Sequence, residues 1–134
     1  MSGETTTTTT IVGQLTDDPV LRHTAGGDVT SFTVASTPRI LDRNTGQWQD
    51  GDTLFLPCSV WRQPAEYAAA TLHKGARVIV TGRLKQRSFE TANGEKRTVT
   101  ELDADEVGAS LRFTGARIVQ LAKAGADNGP APRA

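Results

Sequence analysis

At 134 residues, with fifteen Lys and Arg against fifteen Asp and Glu, the chain is long enough for one domain with a single core and too short for two of ordinary size. Its zero net charge gives no support to a uniformly basic nucleic-acid binder. The single cysteine, Cys58, excludes an intramolecular disulfide or a cysteine-rich zinc site and points to a reduced compartment.

No apolar run approaches the roughly eighteen residues of a membrane span, and the N-terminus is threonine-rich rather than basic then apolar. The expectation is a cytoplasmic, nucleoid-associated protein without a membrane partner. Charge is unevenly distributed. From Arg62 to Arg97 there are eight basic residues against three acidic ones, net +5, leaving the remainder at −5. A neutral chain of this kind is expected to present one positive face.

In chain order, the Thr5 to Thr10 run is β-branched and feeds into Ile11 and Val12, so part of it can be a strand, and Gly13 allows a bend. Thr16-Asp17-Asp18-Pro19 and Ala25-Gly26-Gly27-Asp28 read as turns, leaving Val20 to Thr24 as a short connecting segment. Val29 to Ser36 alternates as a strand, with Phe32 and Val34 on one face. Thr37 to Thr53 is a long polar excursion holding Arg39 and Trp48, with Asn44-Thr45-Gly46 as the turn of an extended hairpin arm. A long loop in a compact domain is more often functional than idle.

Leu54 to Trp61 sorts Leu54, Leu56, Cys58 and Val60 onto one face and Phe55, Pro57, Ser59 and Trp61 onto the other. Two large aromatics thus point away from the core, unless the sheet is covered on both sides. Pro57 favours an edge or bulge position. Pro64 to Lys74 is the one good helix, with Pro64 at its first turn, Glu66 at its positive end and Gly75 after it. Ala65, Ala68, Ala69 and Leu72 give it a thin apolar stripe.

The run Arg77 to Phe89 carries Val78, Val80 and Leu84 on one face. Its other face holds Arg77, Ile79, Arg83, Lys85 and Arg87 and ends in Phe89. Gly82 sits where a strand would bend at a barrel corner. Cations leading to an aromatic ring suit a phosphate backbone and unstacked bases; a solvated basic strand face is the plainer reading. Ala92-Asn93-Gly94 is a hairpin turn, and Lys96, Arg97 and Thr98 begin the return strand, which runs to an acidic end at Asp103, Asp105 and Glu106. That end reads as a solvated edge, since neighbouring strand positions face opposite ways and make a poor divalent-cation site. Ser110 to Leu121 alternates as a last strand, and the segment from 122 to 134 has too little apolar surface to fold.

Catalysis finds no support. His23 and His73 have no partner carboxylate pair, phosphate loop or nucleophile motif, so neither an enzyme nor a cofactor is expected. A strand-rich order with one helix between the third and fourth strands is that of an all-β, five-stranded OB-fold barrel over residues 1–121, whose face commonly takes single-stranded nucleic acid. The expected contacts are Trp48, Phe55, Trp61 and Phe89 for stacking. Arg39, Arg62, Arg83, Lys85, Arg87, Lys96 and Arg97 are expected to meet phosphates. An RNA-binding or cold-shock-like module, or a structural OB subunit that binds protein, are the alternatives.

From Val12 to about Val119 the chain also resembles the bacterial single-stranded DNA-binding protein family, particularly its actinobacterial form. The resemblance rests on IVGQLTDDPVLR, FTVASTPR, DRNTGQWQDGD, the apolar-aromatic strand to Trp61-Arg62, HKGARVIVTGRLKQRSFE and NGEKRTVTE. It implies stacking positions at Phe55, Trp61 and Phe89, a homotetramer around which DNA wraps, and service in replication, recombination and repair. Two departures stand out. The family's arm usually has an aromatic where Ile40-Leu41 stand here, and the family's acidic, aromatic-tipped terminal peptide has no counterpart, since Lys123 to Ala134 hold one acid, Asp127, two cations and no aromatic. The chain is therefore read as a truncated, paralogous or phage-encoded form whose tail does not recruit repair enzymes.

Overall fold

The structure is a computed structural model that describes residues 7–121. The segment from 122 to 134 lies outside the described residues. The elements in order are β1 (Thr7–Leu15), β2 (Val20–Thr24), β3 (Gly27–Ser36), β4 (Arg39–Leu41), β5 (Trp48–Asp50), β6 (Leu54–Trp61), α1 (Gln63–Thr71), β7 (Arg77–Glu90) and β8 (Lys96–Ala109).

Pairing closes a ring. β1 runs antiparallel to β7 from Thr7↔Leu84 to Gln14↔Arg77, then reaches β3 through Gln14↔Ala35 and Leu15↔Val34. β3 pairs β6, β6 meets β8 in parallel at Cys58↔Leu102 and Ser59↔Asp103, and β8 returns to β7. This is the five-stranded OB-fold barrel, with β2 added as a hairpin on β3 and β4–β5 as a separate two-stranded arm.

Two glycines make the closure possible. A Cβ on Gly13 would collide with the Ala35 carbonyl where β1 changes partner, and one on Gly82 with the Asp103 carbonyl where β7 bends. At Gly82 the β7–β8 register shifts by one residue, a bulge that turns the strand. Gly13 and Gly82 thus supply the two bends that the sequence pattern predicts.

The period-two alternation is realised as expected except at Leu54, assigned by pattern to the core face but 57% exposed, because it opens β6 beyond the residues that fill the barrel. Phe32, Val34, Leu56, Cys58, Val60, Val78, Val80 and Leu102 fill the barrel with Ile11 and Leu15. Each large apolar side chain so buried is worth roughly 1.5–3 kcal/mol. Ala65 and Ala68 are the buried face of α1, small enough to let the helix lie flat against the barrel end. The buried Thr30 hydroxyl donates to the Ala65 carbonyl at 2.6 Å, which fixes α1 to β3 and leaves no polar group stranded there.

Four boundaries differ from the sequence pattern. Val20 to Thr24 is a paired strand, because the Gly26-Gly27 turn folds it back onto β3. The helix ends by Leu72, whose backbone is extended; His73, Lys74 and Gly75 form the turn into β7, where Gly75 has φ 88° and its N–H donates to the Leu15 carbonyl at 2.9 Å. The return strand does not stop at its acidic residues but continues to Ala109 as β8. Ser110 to Leu121 is not a strand: the Ser110 N–H still reaches the Arg77 carbonyl, but β7 begins there, so the chain beyond has no ladder to join. The pattern sets Leu111, Phe113 and Val119 against Arg112, Thr114 and Ile118, yet Leu111, Phe113, Ile118 and Val119 are all exposed.

Pro57 stands opposite Thr33, and β8 pairs β6 only at Cys58 and Ser59, so the strand is an edge on that side at the proline, where a missing N–H does no harm. No helix among the described residues is long and apolar enough to cross a membrane.

Burial pushes the Cys58 thiol up to about 12 from an ordinary 9.0. Because the folded state holds this proton more tightly than the unfolded chain, the contribution to stability is complete below pH 9 and is lost as pH rises towards 12. The thiol should therefore be inert to a disulfide reagent at pH 8 in the native protein and react at once in denaturant. Rapid native-state reaction would show that the barrel opens at β6.

Candidate nucleic-acid interface

The sheet order β7–β8–β6–β3–β2 makes one continuous outer face, and register decides which side chains share it. On β6 these are Phe55, Pro57, Ser59 and Trp61, opposite Leu56, Cys58 and Val60 in the core. Ser59↔Asp103 carries the same face to Glu101 and Asp103 on β8, and from there Arg83↔Asp103, Lys85↔Glu101, Arg87↔Val99 and Phe89↔Arg97 carry it to β7. Phe55 is 61% exposed, Trp61 40% and Phe89 41%. Three large rings therefore stand in solvent on one side of the barrel, an arrangement that costs hydration free energy unless something covers them.

Phe89 lies beyond Leu84, the last β7 residue paired with β1 among the described residues, on the stretch of β7 paired with β8 that leads to the hairpin turn. Arg87 places its guanidinium 5.7 Å from the Phe89 ring centroid, a cation–π contact that holds charge beside a stacking surface. That turn is the expected one: Gly94 has φ 81° and its N–H donates to the Thr91 carbonyl at 2.9 Å. Lys96 and Arg97 are exposed at the start of β8, Arg97 3.6 Å from Glu95.

The second arm is β4–β5, closed by Gly46 at φ 73° with its N–H on the Asp42 carbonyl at 2.7 Å. Trp48 stands opposite Leu41 and is 60% exposed; Arg39 stands opposite Asp50 and lies 3.4 Å from its carboxylate. Arg62 closes β6 with a left-handed backbone, φ 69°, and is exposed beside the Gly27 turn.

The charge of this face corrects the expectation from composition. The cations of β7 are not an open positive strip, because the carboxylates of β8 fold directly against them. Lys85 lies 3.0 Å from Asp103, Arg87 2.7 Å from Glu101, and Arg83 3.4 Å from Asp103 and 3.5 Å from Asp105. Asp103 and Asp105 are two apart, so both reach the outer face, and β8 lies between β7 and β6 rather than at an edge. The net +5 segment and part of its acidic complement are thus neighbours in space. No group of three His, Cys, Asp or Glu among the described residues could hold a metal ion.

A cation that sequence reasoning passed over lies across the face. Arg22 on β2 is opposite Val29, and its guanidinium donates to the Ser31 hydroxyl at 3.3 Å, with no ion-pair partner among the described residues. With Pro57, Ser59, Arg87 and Glu101 it lines a shallow groove over the outer face. The signal was present in the alternation of Val20 and Arg22 with core-packed Leu21, but a five-residue strand between two turns is too short to declare a face.

The comparisons with known proteins agree with this architecture. The model of the Single-strand binding protein family matches residues 6–110. The chain is 59% identical over 126 residues to the single-stranded DNA-binding protein of Mycobacterium leprae (strain TN), covering 93% of this chain and 74% of that one. It is 56% identical over 126 residues to the protein of the same name from Mycolicibacterium smegmatis, with 93% and 75% coverage. The crystal structure of a small single-stranded DNA-binding protein from Streptomyces coelicolor matches with a TM-score of 0.70 and 35% identity, over 81% of this chain and 97% of that one. With a family match over most of its length and an OB barrel that carries exposed rings on one face, this chain belongs to the single-strand binding protein family.

Proposed function

We propose that this protein binds single-stranded DNA without strong sequence preference and without catalysis, protecting it during replication, recombination and repair. The observation that carries the reading is the row of exposed Phe55, Trp61 and Phe89 on one outer face. Each ring offers a base a stacking surface worth roughly 1–3 kcal/mol, available only when bases are unpaired. Trp48 on the β4–β5 arm adds a fourth ring. Arg39, Arg62, Arg83, Lys85, Arg87, Lys96 and Arg97 border these rings and supply backbone contacts, with Arg22 added from β2. The active form is a homotetramer, as family membership implies, and light scattering should give four times the 14.3 kDa chain mass. Its compartment is the cytoplasm, at the nucleoid.

Titration with poly-deoxythymidine, followed by Trp48 and Trp61 fluorescence, tests the reading; a protein that quenches equally with RNA of the same length, or not at all, is something else. The salt response distinguishes the cations. Arg22→Ala should flatten the slope of log affinity against log salt by about one unit, uniformly across sequences. Lys85→Ala should flatten it by less, because a contact that displaces Asp103 leaves a carboxylate behind. Equal slopes for the two variants would contradict this ranking.

A further inference from the structure

Nothing in stacking or phosphate binding calls for carboxylates in the middle of the face, yet β8 places Glu101 and Asp103 between the cations of β7 and the aromatics of β6. They are the more sheltered members of their pairs. The side chain of Asp103 is 20% exposed and that of Glu101 29%, against 49% for Lys85 and 67% for Arg87. The long cationic stems can swing outward while the short carboxylates stay on the strand.

Resting on the proposed single-strand binding, we propose that Glu101 and Asp103 are affinity-determining residues of this interface. They act as built-in phosphate surrogates that occupy Arg83, Lys85 and Arg87 in the free protein and are displaced when DNA binds. Glu101 lies 2.7 Å from the Arg87 guanidinium, and Asp103 3.0 Å from the Lys85 ammonium and 3.4 Å from the Arg83 guanidinium, so a phosphate gains each cation only by exchange. Exposed ion pairs are weak enough for the exchange to proceed.

The exchange has two consequences. Neutralising a phosphate releases condensed counterions, but each vacated carboxylate attracts a solution cation in return, so the salt response is shallower than the number of cations suggests. A polyanion that offers no bases to stack has only this exchange to gain. Duplex DNA is therefore bound weakly, and a single strand is retained by the rings.

The test is the double variant Glu101→Gln, Asp103→Asn beside Glu106→Gln. The latter removes one charge from the same strand where Glu106 stands opposite Thr81 and has no ion-pair partner among the described residues. Binding of a deoxythymidine oligomer and of a blunt duplex of the same length is measured from 50 to 200 mM salt. The double variant should bind the oligomer more tightly with a slope steeper by one to two units, and the duplex at least about tenfold more tightly at low salt. Glu106→Gln should change both by much less. Weaker oligomer binding by the double variant would show that the carboxylates hold the cations in place for DNA, and a gain no larger than that of Glu106→Gln would reduce them to background charge; either overturns the proposal. If the double variant melts early, Glu101→Gln alone decides by the same criteria against Arg87. Failure of the unaltered protein to bind the oligomer would instead overturn the single-strand reading itself.

Discussion

Replacing Phe55 and Trp61 together by alanine should weaken single-strand binding by roughly 2–6 kcal/mol, the sum of two stacking surfaces at about 1–3 kcal/mol each, with the melting temperature nearly unchanged. Both side chains alternate with core positions on β6 and stand in solvent, so neither contributes to the barrel interior. Trp61 is the less exposed of the two, because its ring lies 3.9 Å from where a Cβ on Gly26 would stand and so leans on the β2–β3 turn. Single variants should therefore differ, with Trp61→Ala losing slightly more stability and Phe55→Ala losing binding alone. Poly-deoxythymidine titration and circular-dichroism melts on the same preparations separate the two effects. Undiminished affinity in the double variant would remove β6 from the DNA path.

Much of this face was legible because a strand writes its two sides into sequence with period two, and β6 and β7 are long enough to show it. Gly82, the Asn44-Thr45-Gly46 arm and the Asn93-Gly94 turn were legible for a related reason: each position requires a backbone or a close approach that only a few residue types allow. Register was not. Whether Asp103 faces Lys85 or solvent depends on how many residues separate the β7–β8 turn from the bulge at Gly82, and a shift of one residue would have sent the carboxylates to the other side. Alternation misled at Leu111, Phe113 and Val119, since a strand needs a free neighbouring ladder as well as a pattern, and the pairing with β7 ends where the Ser110 N–H donates to the Arg77 carbonyl. The exposed rings read as a binding surface from sequence, whereas the carboxylates set against its β7 cations required the pairing of β7 with β8.

Gly82→Val should be the most damaging single substitution on the β7–β8 hairpin, costing about 3 kcal/mol or more of stability, at or above the upper end of ordinary overpacking. The colliding atom is the Asp103 backbone carbonyl, which cannot rotate aside as a side chain would. Relief would require β8 to move away from β7, and the strand is held on its far side by the pairing of Leu102 and Asp103 with β6. Separation would also expose Leu102, fully buried in the native barrel, and break the ion pairs of Asp103, so binding should fall with stability rather than separately. Gly108→Val on the same hairpin provides the comparison: nothing lies within 4 Å of a Cβ there, its φ is not positive, and a β-branched residue suits a strand. Its melting temperature should match the unaltered protein, while that of Gly82→Val should fall by ten degrees or more, taking about 4 °C per kcal/mol for a barrel of this size. Equal melting of the two variants would mean that the bulge at Gly82 can absorb a side chain, and that β7 does not depend on glycine to turn the corner of the barrel.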